Sequence, residues 1–212
     1  MTTVKDILTY LYSLAPASMK MDWDNVGLLC GSSCQRVSKI LVALDPFEHV
    51  CDEAAAWGAQ LIVTHHPLIF DPQRSVVDDN SVGRCILKLC RNGICAINAH
   101  TNLDQAEGGV NDIFAQVLGL ENIETICEHD MQLLRRGDVP EQSLETFLAT
   151  VKERLNCTGL RYVDSGKKVC KVAVGGGACG RHLISEGADY AEPYPRQGQT
   201  QGLGKNNHAH KY

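Results

Sequence analysis

The chain has 212 residues, 44% hydrophobic and 21% charged, with a formal net charge of −5. That length buries a core as one large domain or two small ones, and the acidic balance excludes a broad nucleic-acid surface. Met1–Asp6 lacks the apolar run of a secretory leader and no stretch is long enough to span a bilayer, so the expectation is a soluble, cytoplasmic protein without a membrane partner.

Thr3 and Asp6 have the spacing of a capping box, and Val4, Ile7, Leu8, Leu11 and Leu14 follow at helical intervals until Pro16. Asp22-Trp23-Asp24-Asn25 is turn-like, and Val26–Cys30 reads as a short strand closed by Gly31. Ile40–Leu44 is a continuous apolar run, the pattern of a strand buried on both faces. Asp45 then suits an N-cap and Pro46 the first residue of a helix that carries Val50, Ala54 and Trp57 to Gly58. Leu61–Thr64 is the next apolar strand and ends on His65-His66-Pro67. A polar loop around 72–79 leads to a helix from Ser81 to Asn92, stopped by Gly93. Ile94–Ala99 is a third buried strand, ending in His100-Thr101-Asn102-Leu103-Asp104. Gly108-Gly109 opens a helix through Val110, Ile113, Phe114, Val117 and Leu118 that Gly119 closes.

This alternation of strands and helices predicts an α/β fold with a parallel sheet covered on both sides. Residues 1–120 form the first lobe, and 121–139 a charged linker or exposed hairpin. Residues 140–190 form a partial second α/β lobe, with a helix over Pro140–Leu155 and a strand over Val169–Val174. From Ala191 to Tyr212 the only branched aliphatic residue is Leu203, so 191–212 reads as a biased, disordered tail.

Ten cysteines occur with no CxxC pair. Cys51, Cys85 and Cys90 fall in helical patterns, and Cys95 and Cys170 in strand patterns, where a thiol acts as a small buried hydrophobe. Gly175, Gly177 and Gly180 fit GxGxxG after a strand. No second strand with an acidic residue comes at the distance a dinucleotide site needs, so a tight packing turn is the better reading.

Ligands of open parallel sheets bind beyond the carboxyl ends of the strands. Asp45, His65, His66, His100 and Asp104 all fall at such ends. Two adjacent imidazoles point in different directions and suit zinc, iron, manganese or nickel. Alone the pair reads better as turn histidines bonded to backbone carbonyls. A carboxylate at Asp104, ending the neighbouring strand, adds a hard oxygen ligand and tips the reading to metal. The expected ligands are therefore His65, His66 and Asp104, with His100, Asp45 and Asp24 in supporting positions behind them.

Trp23-Asp24-Asn25-Val26-Gly27-Leu28, the run Leu61–Leu68 through His65-His66-Pro67, and Ala99–Asp104 followed by Gly108-Gly109-Val110-Asn111-Asp112 resemble the GTP cyclohydrolase I type 2 homologue family, also called Nif-three-like dinuclear-metal proteins. Val169–Val174, its glycine turn and Gly187-Ala188-Asp189 resemble the start of that family's last third. The resemblance implies a Nif-three-like fold of two α/β lobes, a homohexamer, and two divalent metal ions held here by His65, His66 and Asp104. It implies hydrolytic opening of the guanine imidazole ring of GTP by metal-activated water. The rival reading is a non-catalytic metal-binding assembly or regulatory protein. The GH-x-x-x-E-like motif that completes the family's site is missing from this sequence. The chain therefore reads as truncated or frame-shifted at its C-terminus, with an incomplete second lobe, impaired activity and at most one tightly held ion.

Overall fold

The structure is a computed structural model that describes residues 1–128 and 131–177. It divides into two units, Met1–Ala106 and residues from Glu107 onward. The expected tail over 191–212, the truncation and Gly180 of the glycine motif all lie outside the described residues. No helix among the described residues is long and apolar enough to cross a membrane.

The first unit opens with α1 (Val4–Leu14), where both bonds of the predicted capping box form: Thr3 Oγ1 accepts from the Asp6 amide, and the Asp6 carboxylate accepts from the Thr3 amide. Strands β1 (Gly27–Cys30), β2 (Ile40–Ala43), β3 (Leu61–Thr64) and β4 (Cys95–Asn98) make one sheet in the order β1-β4-β3-β2. Strands β2, β3 and β4 run parallel as the alternation predicts, while β1 pairs with β4 antiparallel, so the sheet is mixed. The intervening helices are α2 (Glu48–Trp57) and α3 (Ser81–Arg91). Gly58 closes α2 at φ 72°, the left-handed conformation that its sequence position suggests.

Side chains alternate across the sheet, and the two faces have separate cores. Ile62 and Ala96 pack with Val50, Ala54, Ile86 and Leu89 of α2 and α3. Leu61, Cys95 and Ile97 pack on the other face with Val4, Ile7, Leu8 and Leu11 of α1. Each fully buried Leu or Ile contributes about 1.5–3 kcal/mol.

Two local expectations are corrected. The run Ile40–Leu44 is not buried on both faces: β2 is the edge strand, with Val42 76% exposed and Leu44 60% exposed. An apolar run reports affinity for a core, not the presence of a neighbour. Asp45 does not cap α2 either. The cap is Phe47, and the Asp45 carboxylate turns instead to His66.

The second unit begins earlier than a boundary at 120, because α5 (Val110–Leu118) shares its core with the sheet C-terminal to it. Strands β5 (Glu121–Glu128), β6 (Met131–Gln142) and β7 (Val169–Val174) form this antiparallel sheet in that order, with α6 at Leu144–Arg154. Ala115, Leu118, Leu120, Val139, Phe147, Val151, Val172 and Val174 form the core. Residues 121–128 and 131–139 are thus paired as antiparallel strands and not left as a free linker, and no parallel pairing occurs among the described strands here. Buried Arg135 is paired with Asp112 of α5. Gly177 turns the chain at φ 67°, and the Gly176 amide donates to Asn111 Oδ1 at 2.7 Å, which accords with a packing turn.

No disulfide joins the nine cysteines described. Cys30, Cys51, Cys85 and Cys95 are buried, as expected of thiols in helix and strand interiors. Cys90 and Cys170, read from the same patterns, are exposed, Cys90 in the last turn of α3 and Cys170 at the start of β7.

Candidate metal centre

The parallel register of β3 and β4 assembles the site. Thr64 stands opposite Asn98, and the Ala99 amide donates to the Thr64 carbonyl at 3.1 Å. The next residues on each strand, His65-His66 and Ala99-His100, are therefore brought side by side although 34 positions separate His65 from Ala99. The three imidazoles form a triangle, with ring centroids 5.1 Å apart for His65–His66 and His65–His100 and 5.6 Å for His66–His100. One ligand atom from each lies within 4.8 Å of the others.

Each ring is anchored through Nδ1. His65 Nδ1 is 3.0 Å from the Ala99 carbonyl oxygen, which only accepts, so Nδ1 carries the proton and Nε2 offers its lone pair. His66 Nδ1 is 2.6 Å from Asp45 Oδ1, and His100 Nδ1 is 2.9 Å from Asp24 Oδ1. A carboxylate on one ring nitrogen fixes the tautomer and raises the basicity of the other, the usual support of metal-binding histidines. Asp45 and Asp24 thus stand behind the imidazoles. His100 stands in the triangle itself, alongside His65 and His66.

Asp104 arrives by a route that sequence patterning does not reveal. His100 starts a short helix, α4 (Thr101–Gln105), with the Asp104 amide donating to the His100 carbonyl at 3.0 Å. One turn brings the carboxylate back over the strand ends, with Oδ1 3.6 Å from His65 Nε2. That separation is too long for a hydrogen bond. Burial pushes the His65 imidazole down to about 4, with the neighbouring His100 and His66 adding to the effect. Burial also pushes the Asp104 carboxyl up to about 6, against the pull of His100 and His66. At pH 7 His65 is therefore neutral and Asp104 ionised. These are the protonation states that ligands need.

Asp24 is the best-anchored side chain near the site. It is 5% exposed, and its carboxylate accepts from His100 Nδ1, from the Thr101 amide at 3.0 Å and hydroxyl at 2.5 Å, and from the Asn25 amide at 2.8 Å. Burial works against its ionisation, but the bonds from His100 and Thr101 outweigh it and hold the carboxyl below the usual range. Trp23, beside it in sequence, packs edge-on to the His100 ring at 6.3 Å and against Phe70 at 5.8 Å. Trp23 opens the first of the three family motifs, whereas Phe70 has no pattern that ties it to the site.

The donor set fits a divalent cation: three anchored imidazoles, each offering Nε2, beside one partly buried carboxylate. The family model described as Duf34/NIF3 (NGG1p interacting factor 3) matches residues 2–191. The chain belongs to that family. The "GTP cyclohydrolase 1 type 2 homolog" of Clostridium perfringens is 33% identical over 181 residues, covering 82% of this chain and 69% of the relative. The protein of the same name from Clostridium acetobutylicum is 33% identical, with 92% and 72% covered. Among solved structures, a hypothetical protein of Staphylococcus aureus superposes with a TM-score of 0.78 at 31% identity, covering 88% of this chain and 77% of that one. Reduced HcgD from Methanocaldococcus jannaschii superposes with a TM-score of 0.72 at 28% identity, covering 87% and 73%. The fold class and family that the three sequence motifs point to are thus confirmed.

Proposed function

We propose that this protein is a metal-dependent hydrolase that opens the imidazole ring of a guanine nucleotide by adding water. The observation that carries the reading is the triangle of His65, His66 and His100, each with Nδ1 engaged and Nε2 offered, beside ionised Asp104. The name shared by the family relatives supplies the substrate class. A divalent ion, zinc, iron, manganese or nickel, contributes Lewis acidity and lowers the pKa of water.

The residues of the chain do the rest. His65, His66 and Asp104 hold the ion, and His100 completes the imidazole triangle beside Asp104. Asp45 and Asp24 keep the rings in the ligating tautomer. The local burial that lowers His65 and raises Asp104 shields those two side chains from bulk water, which strengthens electrostatic interactions there. Self-association in the cytoplasm belongs to the same proposal. Val42 and Leu44 leave apolar surface on an open sheet edge that a second copy can cover.

The test is elemental analysis of the purified chain, followed by incubation of metal-loaded protein with GTP. The expected product is heavier than GTP by one water and forms only with metal. Bound metal without that product favours the rival reading of a non-catalytic metal-binding protein. Absence of metal binding removes both.

A further inference from the structure

Aromatic side chains bury large areas, and a pair left in water beside a polar site calls for an explanation. The chain contains two tryptophans and four phenylalanines. Trp23 is 58% exposed and Phe70 51% exposed, and their rings pack at 5.8 Å with an interplanar angle of 55°. Trp23 in turn lies edge-on to His100, so the aromatic pair continues directly from the imidazole triangle. The mounting is firm on both sides. Asp24, next to Trp23, is fixed by four hydrogen bonds, and the Lys20 ammonium donates to the Asp24 carbonyl at 2.8 Å. Asn25 Nδ2 donates to the Ile69 carbonyl at 2.7 Å and so ties the Trp23 turn to the segment that carries Phe70.

Rigid support keeps the ordering cost of binding low, and an exposed indole face attracts any planar π-system by stacking. Metal ligation requires neither ring. We propose that Trp23 and Phe70 form a stacking platform for the planar heterocycle of the substrate, holding a purine base next to His100 and the metal ligands. This assignment rests on the nucleotide reading above. It adds the residues that recognise the base, which the histidine triangle leaves unspecified. Stacking is tolerant of base identity, so the platform positions a purine and does not by itself separate guanine from adenine.

The experiment uses the full chain with Trp57→Phe, which leaves Trp23 as the single tryptophan. GTP and guanosine should quench its fluorescence saturably, while ribose 5-phosphate and tripolyphosphate should not. Equilibrium dialysis with labelled GTP should show about tenfold weaker binding for Trp23→Ala and for Phe70→Ala, with Trp23→Phe close to the parent. Rescue by phenylalanine separates stacking from a folding defect. Unchanged GTP binding in both alanine variants overturns the platform, as does equal binding of tripolyphosphate and GTP. A shift of Trp23→Ala to a smaller species in sizing chromatography, with GTP binding intact, also overturns it and makes the face an interface between copies. The measurements need no added metal and no turnover. Base-dependent quenching without ring opening keeps the platform and removes the hydrolase, whereas ring opening without quenching does the reverse.

Discussion

Asp24 and His100 lie 76 residues apart in the chain and meet at 2.9 Å, carboxylate oxygen to ring nitrogen. The same carboxylate holds the amide and hydroxyl of Thr101, the first residue of α4, so one buried acid orients an imidazole and starts the helix that delivers Asp104. Removing its charge disturbs both functions together. Asp24→Asn is expected to weaken zinc binding about 10–100-fold and to cost about 1–3 kcal/mol of stability. Calorimetric zinc titration and urea unfolding of the same preparation measure the two effects. Parent-like zinc affinity in a destabilised variant would confine Asp24 to a structural role.

Replacing His65 or Asp104 with alanine removes a ligand outright. Each variant should hold less metal after dialysis against a chelator than the parent does, while far-ultraviolet circular dichroism stays unchanged. Metal content that survives both replacements would place the ion elsewhere in the chain.

Leu89 and Val42 provide a matched contrast in the first unit. Leu89 is fully buried between α3 and the sheet, whereas Val42 is 76% exposed on the edge strand. Leu89→Ala should cost about 2–5 kcal/mol in chemical denaturation. Val42→Thr should stay within about 0.5 kcal/mol for the monomer. A large cost at Val42 that grows with protein concentration would mean that a second copy covers the edge.

Arg135 and Asp112 form a pair within the second unit, with Arg135 2% exposed. Asp112→Ala leaves a buried guanidinium without that partner and should cost about 3–5 kcal/mol. Adding Arg135→Met to it should recover much of the loss, since the buried charge is then gone. A double variant no more stable than Asp112→Ala would show that Arg135 is held by its other contacts.

Thiol labelling tests the burial pattern residue by residue. Cys34, Cys90, Cys127 and Cys170 are exposed and should react quickly with a maleimide, while Cys30, Cys51, Cys85 and Cys95 should react only on unfolding. Burial, with Cys90 close by, pushes the Cys30 thiol up to about 12, which keeps the reactive thiolate scarce at neutral pH. Peptide mapping after a brief pulse distinguishes the sets, and early modification of Cys51 or Cys95 would contradict the packing.

Local pattern was sufficient for much of this protein. Thr3 and Asp6 announce the first helix, Gly58 and Gly119 end two others, and three apolar runs tipped with His65-His66, Asp45 and His100 place the polar residues at one sheet edge. These features depend on neighbours a few positions away, so the chain carries them openly. Pairing partners are long-range, and there the sequence is silent. Val42 is as apolar as Val63, yet only the strand order β1-β4-β3-β2 makes one an edge residue and the other a central one. The antiparallel pairing of β1 with β4 likewise depends on which core Leu28 can reach. At the site, sequence spacing marks His65, His66 and Asp104. Tertiary structure alone joins His100 to His65 and His66 in one imidazole triangle, turns Asp45 from a helix cap into a histidine anchor, and stands Trp23 and Phe70 beside the metal ligands. Such placement is decided by hydrogen bonds and ring contacts between residues tens of positions apart, which no local periodicity encodes.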